Sequence, residues 1–234
     1  MFTTSHQNPR GLLSGNNFLR PVAALLLMCL TALPLVAGTP SLFDAFNAKL
    51  AKTNSFSSHF VQDYYDSLQD KTSRTVGEFA YKRPGLMKWS YAEPDELQII
   101  VGSNKVWIVD PILENVTIQN IDQVSRIKTL AFLMEENNLS NHFIVTSVSK
   151  KILKTSKEWS VLYLKPRKGD PFITELQIAI DKKNHFISQF VVVDAHMNYR
   201  KIVFTKPQFN QKFRDQEFEF LVPENMDVID GLDN

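Results

Sequence analysis

Period-two alternation over much of its length is the feature that most limits what this chain can become. Phe56, Ser58, Phe60, Gln62 and Tyr64 alternate with His59, Val61 and Asp63. Phe79, Tyr81 and Arg83 alternate with Glu78, Ala80 and Lys82, and Met87, Trp89 and Tyr91 with Lys88 and Ser90. Successive side chains of a strand point to opposite faces, so each run builds a two-faced ribbon that must bury its apolar side. Further runs at Leu97–Val101, Lys105–Val109, Asn115–Ile118, His142–Val148, Trp159–Leu164, Ile173–Ile180, Ser188–Asp194, Arg200–Thr205 and Glu217–Leu221 read as strands. Turn signals separate them, among them Arg83-Pro84-Gly85, Gly102-Ser103-Asn104 and Asp181-Lys182-Lys183-Asn184. Short strands with short connections predict a mainly β, largely antiparallel sheet.

Two segments carry helical spacing instead. Ser41 to Lys52 opens on the Ser41/Asp44 capping pair and aligns Leu42, Phe43, Phe46 and Leu50 on one side. Ser125 to Asn138 places Ile127, Leu130, Ala131, Leu133 and Met134 at helical intervals. Two helices and one sheet predict an α+β arrangement, with the helices over the concave face of a single curved sheet.

Residues 1–38 read as a targeting segment rather than fold. Arg10 and Arg20 precede the apolar run Val22 to Val36, and Val36-Ala37-Gly38 supplies the small residues of a signal-peptidase site. The run is about 15 residues, whereas a span needs about 20; an uncleaved anchor is the alternative. Cys29 lies inside the run behind Met28, which does not suit lipidation. Cleavage after Gly38 leaves 234 − 38 = 196 residues, the size of one domain, and removes the single Cys. A cysteine-free protein suits an oxidising compartment and excludes disulfides and thiol catalysis. The expectation is a soluble periplasmic monomer whose one domain runs from Thr39 to Asn234.

Composition narrows function mainly by exclusion. Twenty-six Lys and Arg against 25 Asp and Glu lack the basic excess of a nucleic-acid binder. Neither GxGxxG nor GxxxxGK[ST] occurs, nor GxSxG. His59, His142, His185 and His196 are far apart and in no metal-ligand spacing. Asp194 and His196 could share a face as a dyad, but no nucleophile or oxyanion signal accompanies them. The expectation is therefore no enzyme, no catalytic residue, no metal and no cofactor.

The aromatic faces remain. Phe79 and Tyr81 on one strand, and Met87, Trp89 and Tyr91 on the next, meet across the turn Lys82-Arg83-Pro84-Gly85. They are a filled core or the wall of an apolar cavity. Arg83 falls on the same face as Phe79 and Tyr81, where an unpaired cation would be very costly. The last carbonyls of a short helix would supply acceptors with a favourable dipole.

The run Lys82-Arg83-Pro84-Gly85-Leu86-Met87-Lys88-Trp89-Ser90-Tyr91, with Pro94, resembles the KRPxxxxWxYxxP signature of the LolA family of periplasmic outer-membrane lipoprotein carriers. Ile100 to Pro111, Leu162-Tyr163-Leu164-Lys165-Pro166, and Phe218-Glu219-Phe220 followed by Pro223, Asp227 and Val228 resemble further family segments in order. Departures are Thr129-Leu130 in place of Thr-Pro, Met87 where Phe is frequent, and Gly102-Ser103-Asn104 at the next turn. The resemblance implies an incomplete β-barrel, one strongly curved antiparallel sheet under a lid of short helices, enclosing a hydrophobic cavity. It implies a carrier that takes acylated lipoproteins from an inner-membrane ABC transporter and delivers them to the outer-membrane receptor LolB. A related half-barrel module for lipids or other hydrophobic ligands is the alternative, and a secreted hydrolase a distant third. Phe79, Tyr81, Met87, Trp89 and Tyr91 would line the wall, faced by Leu130, Leu133 and Met134 on the lid. Arg83 would latch the lid through carbonyls around Met134 to Asn137. Met87, just after the turn, is expected near the rim, where a substitution to Glu spares the fold.

Overall fold

The computed structural model describes residues 41–92, 96–121, 139–148, 150–170 and 172–231. The segments expected to be a signal peptide (1–38) and the interior helix (125–138), Leu130, Leu133 and Met134 included, lie outside the described residues. The chain from Thr39 to Asn234 forms one unit.

Helix α1 (Leu42–Ala51) starts where the capping pair places it. The Ser41 hydroxyl accepts the Asp44 N–H and the Asp44 carboxylate accepts the Ser41 N–H, so two otherwise orphaned donors are satisfied reciprocally. Phe46 and Leu50 are buried, with Leu42 and Phe43 packed beside them. Among the described residues α1 is the one α-helix.

Twelve strands follow among the described residues: β1 (Ser55–Asp66), β2 (Lys71–Lys82), β3 (Leu86–Tyr91), β4 (Gln98–Val101), β5 (Lys105–Asp110), β6 (Asn115–Asn120), β7 (Phe143–Val145), β8 (Trp159–Pro166), β9 (Glu175–Asp181), β10 (Ile187–Val193), β11 (Tyr199–Phe209) and β12 (Asp227–Asp230). They form one open sheet in the order β12-β6-β5-β4-β3-β2-β1-β11-β10-β9-β8-β7. Two meanders are joined through the long pairing of β1 with β11.

The sheet is antiparallel, as the alternation and short connections predict, except at one edge, where β12 runs parallel to β6. The segment Glu217–Leu221 is not a strand. Asp215–Phe218 is a 3₁₀ helix, since the Glu217 carboxylate accepts the Arg214 N–H at 2.7 Å and Phe218 is buried edge-on to Phe213. That capping bond and one buried anchor outweigh the alternation.

The sheet is strongly curved. Trp89 on β3 and Phe204 on β11 are three strand spacings apart, about 14 Å in a flat sheet. Their ring centroids lie 6.4 Å apart, so the intervening ribbon bends and converges its side chains. A bulge contributes: the β1–β11 register slips between Ser57 and His59, with Lys206 at φ 53. The main core fills the concave face, from Phe56, Phe60 and Phe79 across to Leu164, Leu176 and Phe190. On the outer face, Leu153 packs with Ala179, Val191 and Val193. There the buried Gln177 amide accepts the Ile152 and Leu153 N–H groups and donates to the Lys150 carbonyl, securing a crossing segment.

Candidate functional site

The register of β2 against β3 decides what the concave face presents. Tyr81 lies opposite Met87, Phe79 opposite Trp89, and Gly77 opposite Tyr91. On the other side of β2, the same three residues meet Phe56, Ser58 and Phe60 of β1. The five wall residues expected from the sequence are thus brought onto one surface, in three successive rungs.

Packing along these rungs is aromatic. The Phe79 and Trp89 rings are 4.3 Å apart, and Phe60 stands edge-on to Trp89 at 5.0 Å and to Tyr91 at 5.2 Å. Such tilted and edge-on pairs are the favoured geometry of ring quadrupoles. Phe79, Tyr81, Met87 and Trp89 retain 1%, 0%, 0% and 4% of their exposure. Met87 is therefore not at an exposed rim: the cross-strand pairs with Tyr81 and Val101 enclose it. A carboxylate there would have to be desolvated, so a Met87→Glu substitution does not spare the fold.

Gly77 lets the middle of the face close. A Cβ at this position would overlap the Ser90 carbonyl oxygen and sit 2.7 Å from the Phe60 ring. The Phe60 ring fills the space a side chain would occupy. Farther along, the Tyr91 hydroxyl is 3.4 Å from Gln62 Oε1, and burial raises the Tyr91 pKa above its usual value. Phe60, Phe204 and Gly77 were not singled out from the sequence. The alternation of Phe56, Phe60 and Tyr64 carried a signal for the first, but the sequence shows nothing of ring packing over a glycine.

At the other end of the β2–β3 hairpin, the turn is tied to α1. Gly85 adopts φ 67, a conformation open to glycine. The Arg83 backbone N–H donates to the Asn54 carbonyl at 2.8 Å. Its guanidinium Nη2 donates to the Leu50 carbonyl at 2.9 Å and sits 3.5 Å from that of Thr53. Leu50 belongs to the last turn of α1, where the partial negative charge of the helix end favours a cation. The acceptors described for Arg83 thus lie in the last turn of α1 and just beyond it, and those expected around Met134 to Asn137 lie outside the described residues. Lys82, next to it, donates to the Phe213 carbonyl at 2.7 Å and pairs with Asp215. The turn is held from both sides.

The histidines take separate places. His59 is on the outer face, its Nδ1 3.6 Å from Glu78. Asp194 and His196 belong to a turn after β10, not to one strand face. The Asp194 carboxylate accepts the His196 and Asn198 N–H groups, which commits it to the turn. No cluster of metal-ligating side chains occurs among the described residues.

Comparison with known proteins agrees with the hairpin motif. Residues 51–221 match the family described as Outer membrane lipoprotein carrier protein LolA. The outer-membrane lipoprotein carrier protein of Aeromonas salmonicida is 28% identical over 202 residues, covering 84% of this chain and 94% of that one. That of Bordetella avium is 28% identical over 206 residues, covering 86% and 95%. Among solved structures, a LolA superfamily protein from Nitrosomonas europaea aligns with a TM-score of 0.45 at 9% identity, over 77% of this chain and 96% of that one.

Proposed function

The chain belongs to the LolA family of outer-membrane lipoprotein carriers, and from that premise we propose that it works in the periplasm as a chaperone for acylated lipoproteins. In this reading residues 1–38 are removed on export and the domain from Thr39 onward is the working protein. It accepts lipoproteins from an inner-membrane ABC transporter, shields their acyl chains and delivers them to the receptor LolB. The carrier performs no bond chemistry and needs no cofactor, because the transporter supplies the work of extraction.

The observation that carries the proposal is the concave aromatic face, closed at one end by the bond between Arg83 and α1. Each acyl methylene in water costs about 0.8 kcal/mol, so chains of fifteen or so carbons cannot cross an aqueous compartment bare. Phe79, Tyr81, Met87, Trp89 and Tyr91 supply the apolar surface that would replace that water. In this reading Leu130, Leu133 and Met134 face them from the lid of short helices that the family resemblance implies.

Phe79, Tyr81, Met87 and Trp89 are buried against one another, so cargo must displace protein contacts to reach them. Arg83 sets part of that cost. Hydrogen bonds from a charged donor contribute about 1.5–3 kcal/mol each. A carrier that stores such a cost binds its cargo less tightly and can hand it on.

The decisive experiment is a release assay. Spheroplasts charged with newly made lipoprotein are incubated with and without the mature protein. Lipoprotein should appear in the soluble fraction only with the protein, and mass spectrometry should find it bound. Phospholipid alone on the purified protein, with no lipoprotein released, would refute the proposal.

A further inference from the structure

The concave face changes character along its strands. Toward the Arg83 turn it is aromatic and shut, with Phe56, Phe79, Tyr81, Met87 and Trp89 buried. Strand parity carries the same face on to Gln62 and Tyr64 of β1, Thr75 of β2 and Arg200 of β11. These side chains are polar or amphipathic, and each is at least partly accessible. Along β1, Ser58 marks the rung of Trp89 and Tyr64 that of Arg200, about 20 Å apart at the rise of a strand. The face is amphipathic lengthwise, as an acylated molecule is.

Arg200 is the group on this face that the fold does not consume. Its guanidinium carbon lies 4.8 Å from the ring centroid of Tyr64, its cross-strand partner. The ring occupies one face of the cation and leaves the N–H edge free. Among the described residues the Arg200 guanidinium makes no hydrogen bond or ion pair. Asp66 and Asp194, which follow on the same parity, accept backbone N–H groups of their own turns. Nearby, the Tyr91 hydroxyl donates to Gln62 Oε1 and the Gln62 amide to Thr75 Oγ1, both at 3.4 Å. Bonds of that length are weak and readily exchanged for a better acceptor. Burial raises the Tyr91 pKa and the Arg200 charge works against that rise, so the two groups are within electrostatic reach.

Free donors select a ligand that brings acceptors. An acyl chain joined through an ester or an amide bears a carbonyl oxygen at its head, and burying the chain takes water from that oxygen. A carbonyl is neutral, so it gains a charge-assisted bond without the desolvation that a second charge would cost. We propose that Arg200 on its Tyr64 platform, with Gln62 and Tyr91 beside it, receives the ester or amide carbonyls at the head of the acyl chains. Cargo then lies with its polar end here and its chain ends toward Trp89 and the Arg83 turn. The proposal rests on the carrier reading, to which it adds a direction for the cargo and a residue that tells an acyl chain from a plain alkyl one.

The test sets Arg200→Gln against two fluorescent glycerol probes with the same alkyl chains, one joined by esters and the other by ethers, which lack the carbonyl. Arg200 is exposed, so the variant should keep the wild-type thermal midpoint. The wild type should prefer the ester probe by about tenfold, the scale of a charge-assisted bond at an accessible site. Arg200→Gln should lose that preference by weakening ester binding alone, and Arg200→Lys should keep part of it. An equal loss for both probes, or no loss for the ester, overturns the assignment. Palmitate is the third probe: dependence on Arg200 seen with its free carboxylate and not with the ester overturns the proposal in favour of a fatty-acid site. For direction, bromines are placed at the chain ends or beside the carbonyls of the ester probe, in a Trp107→Phe, Trp159→Phe background. Chain-end bromines should quench Trp89 fluorescence more strongly, and the reverse order overturns the orientation. A wild-type protein that releases lipoprotein from spheroplasts but binds ester and ether equally overturns this subsite alone. One that releases none overturns the carrier reading itself, and the subsite with it.

Discussion

Replacing Arg83 with Leu should convert a carrier that delivers into one that retains. Among the described residues the guanidinium makes a well-formed bond to the Leu50 carbonyl, at 2.9 Å, while the 3.5 Å approach to Thr53 is marginal. Counting the first alone, the substitution removes about 1.5–3 kcal/mol that favours the closed state. At about 1.4 kcal/mol per factor of ten, the closed-to-open ratio falls roughly ten- to 150-fold. Leucine leaves the α1 carbonyl without its cation and adds apolar surface beside the acyl path, and both changes favour the loaded form. Uptake of lipoprotein from spheroplasts should survive, and dissociation of a fluorescent acylated peptide should slow by a comparable factor. Transfer to immobilised LolB should fail. Arg83→Lys should fall between, because an ammonium keeps the charge but loses the planar fork. Delivery by Arg83→Leu at the wild-type rate, with unchanged peptide dissociation, would refute the latch.

Other expectations follow from the same geometry. Gly77→Ala should destabilise the protein by about 2 kcal/mol or more in urea unfolding, since its methyl group meets backbone as well as the Phe60 ring; a wild-type midpoint would show that the hairpin yields freely. Met87→Ala should cost about 2–5 kcal/mol, the range for truncating a buried methionine, whereas a rim position would cost almost nothing. Asp63 is held below its ordinary pKa of 3.8 chiefly by its hydrogen bonds from Arg74. The stability it supplies is complete above the unfolded value and is lost as pH falls through the lower folded one. The difference between wild type and Asp63→Asn in denaturant midpoint should therefore shrink on acidification, and parallel pH profiles would contradict this. Burial raises the Tyr91 pKa above 10.0, so ionisation opposes folding as pH rises past the unfolded value. Tyr91→Phe should flatten that alkaline loss of stability, seen by circular dichroism; an unchanged alkaline limb would count against it.

What the sequence determined by itself was local. Ser41 and Asp44 begin α1 because both halves of the capping box lie within four residues. Alternation assigned Phe79, Tyr81, Met87, Trp89 and Tyr91 to shared faces, and the Arg83-Pro84-Gly85 turn joined them, because side-chain direction in a strand depends only on parity. Tertiary structure decided which of those faces meet, and how deeply. β1 finds β11 more than a hundred residues away, β12 closes on β6 in parallel, and the Glu217–Leu221 run gives way to a 3₁₀ helix around Phe218. Full burial of Met87, the Phe60 ring over Gly77 and the α1 carbonyl beneath Arg83 belong to the same class. Each arises from pairing between distant segments and from the bend of the sheet, which bring together groups whose separation along the chain carries no period to read.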